Sequence, residues 1–314
     1  MRTRTYTAAI CGLLVSLVFS FSIVALGADY QNTLLESRES KYNSIFIYRN
    51  DDMVSMTFGH NKRIFTESVY DTKDPLDLPV EYTRFMTVIA AYVDDLSDVL
   101  EIGLGGGRTA WYLHTYLPSA HITTLELDPD VVALAKKYFA IREDSTYHIV
   151  VSDGRLYLND NLRLYDAVLI DAYRGPFVPF HLLTKQFYEV VKSHLKPGGV
   201  VAQNVEPSTM LFDAAVVTVK SVFQNIDLYD AGGNVVMVAY DGPPRSQSDL
   251  IAAAKDKQAK FQFRYPLPEL VAERRQVVRL PNANVLTDDF APVEALKAVQ
   301  RHNQKLDALS DKPK

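Results

Sequence analysis

Strand-like and helix-like stretches alternate from Asp98 to Tyr240, and the apolar run Val99–Ile102 breaks into Gly103, Gly105, Gly106 and Gly107. Acidic residues then stand at the ends of the following strand-like runs: Glu126 and Asp128, Asp153, and Asp171. Together these observations predict an α/β protein with a doubly wound, mostly parallel sheet. A small antiparallel β unit precedes that sheet and a β-hairpin closes it.

Residues 1–28 read as a signal peptide or membrane anchor. Arg2 and Arg4 form a positive n-region, Ala8 to Val24 is almost wholly apolar, and Ala25-Leu26-Gly27 offers a small-x-small cleavage site. The apolar stretch is close to the shortest that spans a bilayer, so an uncleaved anchor is the alternative. Either reading places the folded part outside the cytoplasm, exported (periplasmic or extracellular) or membrane-anchored through this segment. The only cysteine, Cys11, lies inside it. The remainder is therefore expected to lack disulfides, thiol nucleophiles and thiolate metal sites.

A small N-terminal β domain is expected over residues 29–75, with strands at Ser44–Tyr48, Met53–Phe58 and Arg63–Thr66 separated by turns at Asn50-Asp51-Asp52 and Gly59-His60-Asn61. After Pro75 and Pro79, apolar residues at helical spacing predict a helix over Glu81–Val93. The doubly wound α/β domain is expected over 76–242. Its strands are Val99–Ile102, Ile122–Leu127, His148–Val151, Ala167–Ile170 and Val200–Gln203, and its helices Thr109–Tyr116, Val131–Phe139, Lys185–Leu195 and Thr209–Phe223. Nearly all-apolar strands such as Ala167–Ile170 fit a parallel sheet covered on both faces. Lys196-Pro197-Gly198-Gly199 reads as a helix stop. Ile226–Tyr229 and Val235–Tyr240 read as the hairpin. A helical extension and tail, with a helix over Ser248–Lys260, fills residues 243–314.

The chain of 314 residues is 47% hydrophobic and 23% charged, with a net charge of −5, ordinary for a folded globular protein. That charge, without a basic run, gives no reason to expect nucleic acid as a partner. His114, His121, His148, His181 and His194 show no metal-ligand spacing and read as surface or strand-end residues, so no metal is expected. Trp111 reads as core or cleft wall, and Asp288-Asp289 either as a catalytic pair or as a turn cap against the body.

In an open parallel sheet, ligands bind beyond the carboxyl ends of the strands at the topological switch point. The glycines let a ligand approach the backbone, and the free N–H groups at the next helix start favour a polar or negative group. A carboxylate at the end of the second strand (Glu126) can accept hydrogen bonds from both ribose hydroxyls. One after the third (Asp153, with Gly154) can accept a hydrogen bond from an adenine amino group. Any one of these acids could instead cap a helix; their recurrence points to a bound adenine nucleoside. An NAD site would carry G-x-G-x-x-G, whereas the spacing here is Gly103-x-Gly105-x-Gly107 followed by Arg108.

The motifs Ile102-Gly-Leu-Gly-Gly-Gly-Arg-Thr109, Leu125-Glu-Leu-Asp-Pro-Asp-Val-Val132, Ser152-Asp-Gly-Arg-Leu-Tyr-Leu158 and Tyr165-Asp-Ala-Val-Leu-Ile-Asp-Ala172 occur in order. Leu183-Thr-Lys-Gln-Phe-Tyr188, Leu286-Thr-Asp-Asp-Phe-Ala-Pro-Val-Glu294 and the segment Glu81-Tyr82-Thr-Arg84 complete the set. From Glu36 to Glu294 the chain resembles the spermidine synthase (polyamine aminopropyltransferase) family, and within it the bacterial spermidine-synthase-like branch. That family shares the Rossmann-like fold of class I methyltransferases. The resemblance implies that Gly103, Gly105 and Gly107 line the methionine-like and sulfonium part of the nucleoside. It also implies that Glu126 holds the ribose, Asp153 the adenine, and Asp171 the floor of the substrate cleft beside Tyr82 and Tyr173. Asp128 and Gly154 belong to the same cofactor-binding set. The implied co-substrate is decarboxylated S-adenosylmethionine or S-adenosylmethionine, the implied acceptor a polyamine, and the implied assembly a homo-oligomer.

Two positions depart from the family pattern. Gly106 stands where an Asp contacts the amine of the aminopropyl donor, and Arg174 stands where a second Asp acts on the attacking amine. Arginine cannot accept a proton and repels a cationic polyamine, by ~4 kcal/mol at ~4 Å and an effective ε of ~20. Both changes suit a donor or acceptor bearing a carboxylate, such as intact S-adenosylmethionine. Three readings follow: a spermidine-synthase-like aminopropyltransferase, an S-adenosylmethionine-dependent methyltransferase, and a catalytically inactive exported binding module.

Overall fold

The computed structural model describes residues 32–289 except 61–62, 176, 210 and 278–279. The expected leader and Phe290 to Glu294 of the last motif lie outside the described residues. Among the described residues no helix is long and apolar enough to cross a membrane.

Four strands, β1 (Thr33–Glu39), β2 (Ser44–Asn50), β3 (Met53–His60) and β4 (Arg63–Asp71), form an antiparallel sheet in sequential order. Period-two alternation places Ile45, Ile47, Val54, Met56 and Tyr70 in one apolar layer, which packs with Val131, Leu134, Ala135 and Phe139. β1 carries too little buried apolar surface to have been legible as a strand. β4 runs five residues past the expected end at Thr66. A β-bulge interrupts its pairing with β3: Met56 opposes Ser68 and Thr57 opposes Thr66, leaving Glu67 as the extra residue.

The segment expected as one helix over Glu81–Val93 is α1 (Glu81–Met86) followed by a 3-10 turn, Thr87–Ala91. All five residues of that turn are buried, so packing rather than an amphipathic period sets its path. Beyond it come β5 (Asp98–Ile102), α2 (Arg108–Tyr116), β6 (His121–Glu126), α3 (Pro129–Tyr138), β7 (Tyr147–Val151), α4 (Gly154–Asn159), β8 (Tyr165–Ile170), α5 (Lys185–Ser193), β9 (Leu195–Val205), α6 (Phe212–Val222), β10 (Asn225–Ala231) and β11 (Asn234–Tyr240). α7 (Gln247–Phe261), α8 (Leu267–Ala272) and β12 (Arg275–Gln276) follow. α4, α8 and β12 are too short to leave a periodic signal.

The large sheet has eight strands in the order β12-β10-β11-β9-β8-β5-β6-β7. The five from β9 to β7 are parallel, and the β10–β11 hairpin and β12 are antiparallel. Both faces are covered. Val99, Ile122, Ala167, Leu169, Val200 and Val238 bury on one side, and Leu100, Ile102, Leu125, Val168, Ile170 and Val201 on the other. The α/β fold with a mostly parallel sheet, a hairpin and a separate antiparallel unit is therefore as the sequence predicts. Lys196–Gly199 is not a helix stop but the bulged start of β9, where Leu195 opposes Tyr165 and Val200 opposes Ala167. Gly198 has φ +80° there, and a Cβ on Gly199 would lie 2.9 Å from the Lys196 carbonyl oxygen. The buried ion pair of Arg274 and Asp227, joined by the Tyr92 hydroxyl, fastens the C-terminal segment to β10.

Candidate active site

Chain order along the parallel strands reverses between β5 and β8, so their carboxyl ends part and open a crevice. The glycine turn after β5 enters it. Gly103 has φ +100°, and a Cβ there would sit 2.2 Å from the Asp171 carbonyl oxygen, so only hydrogen fits where the two strands separate. The backbones are bonded at the same place: Asp171 N–H donates to the Ile102 carbonyl at 2.8 Å, and Gly103 N–H to that of Leu125 at 2.8 Å.

A cavity of about 680 Å³ fills the crevice and takes in every residue predicted for the site except Gly107. Gly107, at φ +68°, is the N-cap of α2, and a Cβ on it would meet Ile141 and Leu104. It turns the chain into the helix and does not line the cavity. A small hollow of about 20 Å³, room for roughly one water, adjoins the floor and is bordered by Glu67, Tyr82, Glu101, Arg108 and Asp171.

The acids are used differently. Glu126 lies beneath the glycine turn, accepting from Leu104 N–H at 3.1 Å and Asp128 N–H at 2.9 Å; burial raises its carboxyl above the ordinary range. Asp128 borders the cavity, but its carboxylate is spent on the fold. It caps α3 through Asp130 N–H at 3.0 Å and takes the Ser40 hydroxyl and the Asn43 amide of the β1–β2 connection. For Asp128 the capping role is the one the structure displays. Asp153 caps α4 through the N–H groups of Arg155 and Leu156 at 2.9 and 3.0 Å. Its other oxygen meets His181 Nε2 at 2.9 Å, and that bond is the main cause holding its carboxyl below the ordinary range. Gly154 admits α4 close to β5, since a Cβ would come within 2.4 Å of Ile102 Cγ2.

On the floor, burial raises the Asp171 carboxyl despite hydrogen bonds from the Asn204 amide at 2.9 Å and from the Tyr82 hydroxyl. Burial also pushes the phenols of Tyr82 and Tyr173 far up, so both stay protonated donors. Tyr173 gives its hydrogen to the Asn204 carbonyl at 3.0 Å. Arg174 is exposed on the cavity wall.

The structure adds residues that the sequence left unmarked. Glu67 on β4 faces the floor, and burial raises its carboxyl well above the ordinary range, with Asp171 and Glu126 adding to the effect. Glu101 on β5 is 3% exposed and accepts the Thr124 hydroxyl at 2.9 Å; burial is the main cause lifting its carboxyl to about 8. His181 sits over Asp153 and not on an uninvolved surface. Nothing local marks either residue: Glu67 lies where the apolar alternation of β4 fades, and His181 stands far along the chain from Asp153. Asp288 pairs with both terminal nitrogens of Arg155, so the turn Asp288-Asp289 holds the C-terminal segment against the body. Among the described residues no group of three or more His, Cys, Asp or Glu side chains is placed to hold a metal ion.

A sequence profile described as the spermine/spermidine synthase domain matches residues 80–231. The chain is 27% identical over 300 residues to a polyamine aminopropyltransferase of Vibrio vulnificus, covering 91% of this chain and 96% of that protein. It is 32% identical over 182 residues to a polyamine aminopropyltransferase of Chromobacterium violaceum, covering 57% of this chain and 70% of that protein. The crystal structure of a probable spermidine synthase from Corynebacterium glutamicum has the same fold, with a TM-score of 0.66 at 19% identity over 81% of this chain and 96% of that one. With an ordered set of strand-end acids around one crevice and relatives of this kind over nearly its whole length, the chain belongs to the spermine/spermidine synthase family.

Proposed function

We propose that the cavity binds an S-adenosyl-type nucleoside and that the chain transfers an aminopropyl group from decarboxylated S-adenosylmethionine to an amine. The observation that carries this reading is the meeting of Glu126, Asp153 and Asp171 around one cavity at the β5–β8 switch point. Glu126 beneath the glycine turn suits the ribose, Asp153 the adenine, and the Gly103–Gly105 backbone facing Asp171 the sulfonium. Transfer needs an unprotonated amine held in line with the C–S bond. Asp171, with Tyr82 and Tyr173 beside it, provides an acidic, largely water-shielded floor for that encounter.

Arg174 weighs less against a cationic acceptor than its place in the sequence suggests. The guanidinium is exposed, so its repulsion is screened to about 1 kcal/mol or less rather than ~4. Exposure also leaves it free to meet a carboxylate, which supports methyl transfer from intact S-adenosylmethionine as the second reading. Incubating the protein with each donor and putrescine separates the two: methylthioadenosine marks aminopropyl transfer and S-adenosylhomocysteine marks methyl transfer. Nucleoside binding without either product would leave the binding-module reading, and no nucleoside binding would overturn all three. The pattern of residues 1–28 supports action outside the cytoplasm, exported or anchored; protease access to the protein in intact cells tests that placement.

A further inference from the structure

Among the described residues six carboxylates border the nucleoside cavity or its adjoining hollow, and five of them are engaged by the protein. Asp128 holds α3, Ser40 and Asn43; Asp153 holds α4 and His181; Glu126 holds two backbone N–H groups; Asp171 holds Asn204 and Tyr82; Glu101 holds Thr124. Glu67 differs: its Oε1 is buried and has no hydrogen-bond partner. A buried, unpartnered acceptor is costly, and one that borders a ligand cavity is placed to take its partner from a ligand.

Backbone geometry gives the same residue. Glu67 is the extra residue of the β3–β4 bulge, and bulges beside active sites re-aim side chains. Next to it, the Ser68 hydroxyl accepts from Gly106 N–H at 2.8 Å, which clamps β4 onto the glycine turn. The carboxyl borders the same floor as Asp171 and Tyr82.

We propose that Glu67 is the proton acceptor for the attacking amine, taking from the small sheet the role that Arg174 cannot fill. The proposal rests on the reading of the site as an aminopropyltransferase. An acceptor ammonium entering the floor gives one proton to Glu67 Oε1 and becomes a neutral amine. Its nitrogen lone pair attacks the aminopropyl carbon next to sulfur; the C–N bond forms and the C–S bond breaks. The bonding pair returns to sulfur as a neutral thioether, and the new secondary ammonium leaves with the charge. The ionisable groups that face Glu67 are Asp171, Glu126, Glu101, Tyr82, Tyr173 and Arg108. Burial beside Asp171 and Glu126 raises its affinity for protons, so it holds the proton that the ammonium gives up.

The test compares wild type with Glu67→Gln and Glu67→Asp by methylthioadenosine formation across pH, by calorimetry with methylthioadenosine, and by thermal unfolding. Glu67→Gln should lower kcat by about 10²–10⁴-fold. It should leave nucleoside affinity within about threefold and abolish the acidic limb of the kcat/KM profile, and Glu67→Asp should restore part of both. Turnover by Glu67→Gln within about threefold of wild type, with the limb kept, would overturn the proposal. So would loss of nucleoside binding and of folded protein in that variant, since Glu67 would then be structural. Wild type that binds nucleoside but turns over no amine would overturn the functional reading itself, and the role of Glu67 with it.

Discussion

Replacing Gly106 by Asp would restore the acid that the family pattern places in the glycine turn, and the structure says that this chain has no room for it. Gly106 is not among the positive-φ residues, so the backbone tolerates a side chain and sterics alone decide. An added Cβ would lie 2.5 and 2.8 Å from two ring carbons of Phe139 and 2.9 Å from Ser68 Cβ. Phe139 is fully buried and packs on Tyr70 with ring centroids 6.1 Å apart, so its ring cannot swing aside. Overpacking of this kind costs about 1–3 kcal/mol. For a folded body of this size Tm should fall by about 2–6 °C. Displacing Ser68 should also release β4 from the turn and weaken nucleoside binding. Differential scanning calorimetry and nucleoside titration of Gly106→Asp, alone and with Phe139→Leu, read both effects, and the second change should recover part of the loss. A Gly106→Asp protein with unaltered Tm and faster turnover of the decarboxylated donor would refute the reasoning.

Gly103→Ala combines a positive φ with a main-chain collision at 2.2 Å; it should cost more than about 3 kcal/mol, visible as loss of the cooperative unfolding transition near the wild-type Tm. Glu101 makes stability depend on pH: its carboxyl titrates near 8 folded against 4.5 unfolded. A raised acid stabilises fully below about pH 4.5 and loses that contribution as pH climbs towards 8, by up to about 1.4 kcal/mol per pH unit. Urea unfolding from pH 5 to 8 should therefore show a smaller decline for Glu101→Gln than for wild type; parallel declines would contradict this. Arg174→Asp should lower KM for a diamine by no more than about fivefold, an effect that vanishes in about 0.5 M salt because the residue is exposed; a hundredfold gain would show that Arg174 faces the acceptor directly.

Gly103, Glu126, Asp153 and Asp171 were legible because each marks the end of a strand whose apolar run is unmistakable, and the switch-point rule turns four strand ends into one site. His181 and Glu67 were not. His181 reaches Asp153 from a 3-10 turn, Phe180–Leu182, 28 positions away in sequence, and no local pattern records such a meeting. Glu67 lies past the point where the apolar alternation of its strand fades, at the bulge that breaks its pairing with β3. Asp128 shows the opposite limit, since an acid at a strand end followed by proline is the same sequence whether it holds a ribose or caps a helix.

Determined by the sequence alone were the α/β alternation, the glycine turn and the order of acids along the strand ends, because hydrophobic periodicity and backbone freedom are local properties. What the tertiary structure decided is which of those acids remain available to a ligand. Hydrogen-bond partners and burial come from segments distant in the chain: Ser40 and Asn43 occupy Asp128, Asn204 fixes Asp171, Phe139 closes the space above Gly106, and Glu67 Oε1 is left buried without a partner.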